Sequence, residues 1–164
     1  MNKKMSSEEL KGHVLDFLSE HKEGALATCM NNIPRSSPVQ YFLGKETDIF
    51  ILSAGGEKFE AISQNPNVCL LVHTDYLDYR RIKGVQIFGR AVTSLQDKNI
   101  VSEAKQCMSD AYILDKDSDK LKVIKIIPSE VVYLDSIKVG DRTKQVLSGN
   151  QVIIKEDRIS ALYQ

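Results

Sequence analysis

The chain has 164 residues, and it lacks tryptophan, an excess of either charge and any long apolar run. It carries 22 basic and 22 acidic side chains, so its formal net charge is zero. A protein dedicated to nucleic acid usually has a basic excess, so nucleic acid is not an expected partner. No apolar stretch approaches the length of a membrane span, and no apolar segment follows the N-terminal lysines. We therefore expect a soluble, cytoplasmic protein with no membrane partner.

Cysteine is also scarce, and Cys29, Cys69 and Cys107 stand far apart in the sequence. Without a Cys-x-x-Cys pair, the chain has neither a zinc-binding spacing nor a redox motif. The histidines have no metal-binding spacing with another histidine, a cysteine or an acid. No metal site is expected. The 42% hydrophobic content supplies enough apolar material for a core without disulfides or metal.

Three segments have the composition of helices. Ser6 and Glu9 have the spacing of a capping box, and apolar residues recur at helical spacing behind them. This pattern predicts a helix over Ser7–His21, with Gly24 as its stop. Two more helices are predicted over Glu57–Gln64 and Asp97–Ala111.

Short apolar and β-branched runs between turn residues predict strands. These runs are Ala25–Met30, Ser37–Leu43, Ile49–Ser53, Val68–His73, Val85–Leu95, Lys120–Ile127, Glu130–Leu134 and Gln151–Lys155. The charged stretch Asp115–Asp119 is expected to be a linker, and Asp135–Gly149 a loop. Because the strands follow one another as hairpins, the fold class is mainly β, an antiparallel barrel with appended helices. We expect one domain over residues 1–164, with a core of about 8–135 and a C-terminal extension of 136–164.

The run DIFILSAGGEK, Asp48–Lys58, has the composition of an anion site, because a strand, two glycines and a helix start follow one another. The first N–H groups of a helix lack intrahelical partners and attract phosphate, and glycines let the backbone approach it closely. Ser53 adds a hydroxyl donor and Lys58 a full charge. A bound anion would also reverse the unfavourable effect of a first-turn lysine on the helix dipole, about 0.3–1 kcal/mol. The alternative is a tight turn with an ordinary surface lysine, which Glu57 favours.

Two further segments contain polar groups suited to a ligand. In Pro34–Gln40, the candidates for phosphate or sugar hydroxyls are Arg35, Ser36 and Ser37, and the amide of Gln40 is suited to the edge of a planar ring. In Tyr76–Lys83, two tyrosines and three cations are suited to an aromatic ligand or a phosphate. The alternatives are a polar strand start for the first segment and a solvated sheet edge for the second.

The order of these segments resembles a known family, the pyridoxamine 5′-phosphate oxidase-like FMN-binding split barrels. The resemblance covers Glu9–Leu95 and rests on the ordered motifs GALAT, PRSSPVQY, IFILSAGGEK, NP, VCLLV and VQIFGRA. Val123–Asp135 resembles the closing strands of the family. The resemblance therefore implies an antiparallel split β-barrel.

The resemblance also implies a flavin-binding function and its residues. It implies a homodimer with two FMN sites at the subunit interface and a flavin-dependent oxidoreductase acting on a small molecule, with NADH or NADPH as a candidate electron donor. Phosphate binding is assigned to Arg35, Ser53 and Lys58. The ribityl chain and ring are assigned to the remaining residues, namely Ser36, Ser37, Val39, Gln40 and Leu52, with Gln86 contributed by the partner. No residue is identified as a general acid or base.

Two departures limit what the resemblance implies. The oxidases often have an arginine just before the phosphate-binding lysine, where this chain has Glu57. Arg35 or the pair Arg80 and Arg81 is expected to compensate. The chain also has no tryptophan, and its C-terminal segment does not match the substrate-handling segment of true pyridoxamine oxidases. Oxidation of vitamin B6 is therefore not expected.

The family includes nitroimidazole-reductase-like, haem-degrading and deazaflavin-using members, so two alternatives stay open. The first is a non-catalytic protein that binds or senses flavin or haem. The second is a β-barrel interaction module without a cofactor, in which the glycine run is only a turn.

Overall fold

The computed structural model describes residues 3–108 and 120–157. In chain order the elements are α1 (Ser7–Glu20), β1 (Glu23–Met30), β2 (Ile33–Leu43), β3 (Ile49–Ser53), α2 (Glu57–Gln64), β4 (Asn67–His73), β5 (Lys83–Thr93), α3 (Asn99–Cys107), β6 (Lys122–Asp135), β7 (Lys144–Ser148) and β8 (Gln151–Lys155). The predicted linker Asp115–Asp119 and the predicted end of the third helix at Ala111 lie outside the described residues. Within the described part, no helix combines the length and apolarity needed to cross a bilayer.

Helix α1 begins as the sequence predicts. The Ser6 hydroxyl accepts the N–H of Glu9 at 3.1 Å, and the Glu9 carboxylate accepts the N–H of Ser6 in return. This reciprocal pair confirms the capping box. The helix ends at Glu20, before the predicted stop at Gly24, because His21 is already extended and leads into β1.

Six strands close into an antiparallel ring. Their order is β3-β2-β1-β4-β5-β6, and the β3–β6 pairing closes it. Strands β7 and β8 continue the sheet beyond β6. Side chains of alternate residues fill the inside of the ring and pack against the buried face of α1. The prediction of a mainly β, antiparallel split barrel with appended helices is confirmed.

Strand β6 is one strand of 14 residues, where the sequence predicts two strands divided near Pro128. Its pairing with β3 ends at Ile126, and its pairing with β7 begins at Glu130. Pro128 therefore lies where β6 exchanges β3 for β7 on one side, and the β5–β6 ladder on the other side shifts its register beside it, between Phe88 and Gly89. Gly89 of β5 lies opposite, where a Cβ would approach the Ile127 carbonyl oxygen to 2.4 Å. The sequence shows the proline but not this exchange of neighbours.

The predicted loop Asp135–Gly149 is wrong over its second half, which forms β7. Gln145 and Val146 are buried there, and five residue pairs join this short strand to β6. Charged residues and two glycines in this stretch are typical of a loop, although β7 pairs with both of its neighbours in the chain, β6 and β8. The turn to β8 places Gly149 at a φ of 56°, a conformation that glycine adopts without strain.

The predicted starts of β2 and α3 also differ from the structure. Strand β2 begins at Ile33, four residues before the predicted Ser37, and includes Pro34 and Pro38. Over this stretch β2 pairs with β1 alone, since β3 joins it only at Gln40–Leu43. Prolines are tolerated on such an edge. Helix α3 begins at Asn99, later than the predicted Asp97, whose carboxylate accepts a hydrogen bond from the Asn99 N–H at 2.9 Å.

Candidate functional site

The connection between β3 and α2 is a backbone turn that requires glycine. Gly55 and Gly56 have φ angles of 116° and 101°, a region that other residues rarely adopt. Gly56 is the N-cap residue of α2, and no side chain caps the helix. The Phe59 N–H donates to the Gly56 carbonyl at 3.0 Å, so the N–H groups of Glu57 and Lys58 are the ones left for an external acceptor, as the sequence predicts for an anion site.

Ser53 and Lys58 both turn back onto this glycine pair. The Ser53 hydroxyl accepts the N–H of Gly55 at 3.1 Å. The Lys58 ammonium donates to the Gly55 carbonyl at 2.9 Å, and its side chain is half-buried. The two predicted phosphate ligands on this segment thus converge on a single turn.

Arg35 reaches the same turn from β2, where it forms an ion pair with Glu57. Its Nε is buried and has no hydrogen-bond acceptor, the one such side-chain atom among residues 3–108 and 120–157. Buried polar nitrogens are nearly always paired, and the Arg35 side chain as a whole is 37% exposed, so this Nε can take an acceptor from outside the chain. Glu57, the residue that departs from the oxidase pattern, is the ion-pair partner of Arg35.

Lys122 is the residue that the sequence does not identify. It opens β6 directly opposite Ser53, and its ammonium lies 3.0 Å from the position a Cβ on Gly55 would take. The same ammonium stands 5.8 Å from the centre of the Phe59 ring. Only the closing β3–β6 pairing brings this lysine to the turn, and no local pattern signals it.

The remaining predicted ligands of β2 divide between its two faces. Arg35, Ser37 and Val39 alternate along the inner face, and Val39 is 8% exposed within the core. Ser36 and Gln40 lie on the outer face, and the Gln40 amide stands 3.5 Å from the Glu23 carboxylate.

Leu52 pairs with Gln40 across the β2–β3 ladder. Its side chain packs with Phe50 and the residues of α3 on the outside of the ring. The inner and outer sets of predicted ligands therefore do not meet around one point within a single protomer.

Gln86 lies elsewhere, on the outer face of β5, in an open cavity of 280 Å³. This cavity, which we call the β5 cavity, is lined by Leu71, His73, Tyr76, Ile82, Gly84, Gln86, Val132, Leu134, Arg142 and Lys144. Its floor is apolar, and two cations and a histidine stand around it. His73, Arg142 and Lys144 are candidate ligand-binding residues that the sequence does not single out, because they come from three separate elements.

The cations of the Tyr76–Lys83 segment are already paired within the protomer. Arg80 forms an ion pair with Asp157 and donates to the Gly140 carbonyl at 3.2 Å. Arg81 pairs with Asp78 at 2.9 Å. Neither reaches the glycine turn in this chain, so the expected compensation for Glu57 rests on other residues.

A family model described as pyridoxamine 5′-phosphate oxidase matches residues 10–135. The chain belongs to this family. General stress protein 26 of Bacillus subtilis (strain 168) is 28% identical over 143 residues, spanning 85% of this chain and 96% of that protein.

Three solved structures share the fold. A putative pyridoxamine 5′-phosphate oxidase from Listeria innocua has a TM-score of 0.61 at 24% identity, covering 77% of this chain and 98% of that one. A FAD-binding protein from Mesorhizobium loti has a TM-score of 0.57 at 20% identity, covering 71% and 87%. A heme binding protein from Mycobacterium smegmatis has a TM-score of 0.58 at 16% identity, covering 98% and 62%. The family's fold therefore accompanies more than one kind of cofactor.

Proposed function

We propose that this member of the pyridoxamine 5′-phosphate oxidase family binds FMN and acts as a flavin-dependent oxidoreductase on a small molecule. The observation that carries the proposal is the buried, unpaired Arg35 Nε beside a glycine turn that also holds Lys58. A phosphate at this turn would give Lys58 an anionic partner and would give the Arg35 Nε an acceptor. It would also accept hydrogen bonds from the free N–H groups at the start of α2.

The residues present fit the phosphate end of the cofactor. Lys58 and Arg35 supply charge, Ser53 supplies a hydroxyl, and the two glycines leave room for an anion. Ser36, Ser37, Val39, Gln40 and Leu52 are proposed for the ribityl chain and ring. Bound flavin supplies hydride or electron transfer, and the protein's part is to anchor and orient it. With no tryptophan in the chain, a substrate other than a B6 vitamer is proposed.

A homodimer is part of the proposal, since Gln86 is remote from the glycine turn of its own protomer. Two cross-strand rows support a pairing surface on the outside of the ring. They are Ala25–Leu71–Gln86–Val132 and Ala27–Cys69–Phe88. Phe88 is 38% exposed, and an apolar surface of this kind favours contact with a second protein. A second copy docked here would add its Gln86 to the flavin ring.

The direct test is to purify the protein with FMN present and record its absorption. Bound flavin is expected to absorb at about 450 nm, a property of the cofactor itself. Anaerobic addition of NADH or NADPH then distinguishes an oxidoreductase from a carrier, because bleaching requires electron transfer. A colourless protein that elutes as a monomer would contradict the proposal. The electron donor and a cytoplasmic location stay predictions.

Haem binding is the second candidate, and His73 is the observation that favours it. The His73 Nδ1 lies 2.7 Å from the Thr74 carbonyl oxygen. A proton held there leaves Nε2 as a free acceptor, the form in which histidine binds metal. Arg142 and Lys144 of the β5 cavity are suited to propionate groups. Titration with haemin separates the two candidates, since a haem site would give a spectral shift that His73→Ala removes.

A further inference from the structure

We propose that Lys122 is a phosphate-binding residue of this chain and that it replaces the cation lost at Glu57. The inference rests on the proposed function, because it assigns a ligand to the FMN phosphate. No motif in the sequence marks this residue. The β3–β6 pairing alone delivers it, at a position directly opposite Ser53.

Lys122 and Lys58 meet on adjacent glycines. The Lys122 ammonium lies 3.0 Å from the position of a Cβ on Gly55, and the Lys58 ammonium lies 4.0 Å from that of a Cβ on Gly56. The space that a side chain would fill at this turn is thus bordered by two ammonium groups. An anion there would separate their like charges and bind both.

Lys122 has no anionic partner in the described part of the chain. Its side chain is half-buried, and within residues 3–108 and 120–157 it has neither an ion pair nor a hydrogen-bond acceptor. Its one recorded contact of this kind is with the face of Phe59, which holds the ammonium near the turn. A half-buried ammonium with no carboxylate beside it is available to an anionic ligand.

The charges around the turn match a phosphate monoester. Arg35, Lys58 and Lys122 contribute three positive charges and Glu57 one negative charge, which leaves two. A phosphate monoester carries about −1.5 to −2 at pH 7. Without Lys122 the balance at the turn would be a single positive charge. Lys122 thus raises the balance at the turn from one positive charge to two, the value that matches a phosphate monoester.

The test compares FMN with riboflavin, which has the same ring and ribityl chain but no phosphate. Dissociation constants for both are measured by quenching of flavin fluorescence. The proteins are the wild type, Lys122→Gln, Lys122→Arg and the matched surface control Lys120→Gln. We expect Lys122→Gln to weaken FMN binding about tenfold, the loss of one charge-assisted contact. Riboflavin binding stays unchanged, and both control variants retain wild-type affinity for FMN.

The outcomes separate the inference from the proposed function. If the wild type binds FMN and Lys122→Gln binds it equally well, Lys122 is not a phosphate ligand and the proposed function stands. Equal losses for FMN and riboflavin indicate damage to the fold and also overturn the inference. If the wild type binds neither flavin, the proposed function fails and the role of Lys122 fails with it.

Discussion

The two ends of β3 each face a lysine of β6, and the two lysines have different surroundings. At the first end, Lys125 lies opposite Phe50 and forms ion pairs with Asp48 at 3.1 Å and Glu103 at 2.6 Å. At the second end, Lys122 lies opposite Ser53, beside glycines and an aromatic ring. The two residues are three positions apart on one strand.

This difference separates charge used for folding from charge available to a ligand. Lys125 joins the β3 end to α3, and two carboxylates neutralise it within the fold. The turn at the other end collects Arg35, Lys58 and Lys122 against the single carboxylate of Glu57. Perturbed or unpaired charges cluster at functional sites, and here the contrast lies within one strand pair.

The largest effect is expected from Lys58→Ala at the ligand end. Removing this ammonium should lower FMN affinity by about 1.5–3 kcal/mol, the contribution of a hydrogen bond to a charged group. Riboflavin affinity should not change, since the lost contact is to phosphate. Lys45→Ala, on the exposed turn before β3, is the matched control. A variant with wild-type FMN affinity would remove Lys58 from the site and weaken the comparison.

Gly55→Ala tests the backbone of the same turn. A φ of 116° is strained for alanine, so the variant should lose about 2 kcal/mol of unfolding free energy. Its FMN affinity should also fall, because the new Cβ approaches the Lys122 ammonium. Gly12→Ala in α1 is the opposite control. Nothing lies within 4 Å of its added Cβ, and a gain of about 0.5–1 kcal/mol is expected. Urea unfolding measures the stability of both variants. Equal changes in their unfolding free energies would contradict the requirement for glycine at position 55.

Lys125→Met tests the folding end of the strand pair. The variant should lose about 1 kcal/mol of unfolding free energy, because Asp48 and Glu103 then face each other without a cation. Its FMN affinity should be unchanged. Lys122→Met should show the reverse, with unchanged stability and weakened FMN binding. If Lys122→Met lost stability and Lys125→Met did not, Lys122 would be the lysine that supports the fold, and the comparison would be reversed.

The pH dependence of wild-type stability also tests whether Lys125 stabilises the fold. The hydrogen bond to Glu103 raises the pKa of Lys125, and Asp48 raises it further against the opposing effect of burial. A raised pKa in the folded state means that the stabilisation is fully present below the unfolded pKa, about 10.4. It is lost as pH rises through the higher folded value. Lys125→Met should lack this alkaline loss in a series of unfolding curves.

The sequence predicts those parts of the fold that depend on residues close together in the chain. The capping box of α1, the exact bounds of β3 and α2, and the glycine turn all follow from residues adjacent in the chain. The course of β6 through Pro128 does not, since it depends on pairing with strands that are remote in the chain. The existence of β7 does not either, because charged residues and glycines obscure its alternating pattern. The candidate site divides in the same way. Lys58 is predictable because it follows the glycines, whereas Lys122 reaches them only when the ring closes.

The smallest effect is expected from Glu57→Gln, and its sign is the informative part. Glu57 occupies the Arg35 guanidinium, so it competes with phosphate for the same cation. The carboxylate is 69% exposed, and its loss should tighten FMN binding by only about 0.5 kcal/mol. The ligand-free protein should lose about 0.3–0.5 kcal/mol of stability, because the favourable contact with the α2 dipole disappears. Titration and thermal unfolding should therefore move in opposite directions. A variant in which affinity and stability fall together would show that Glu57 supports the site and does not compete with the ligand.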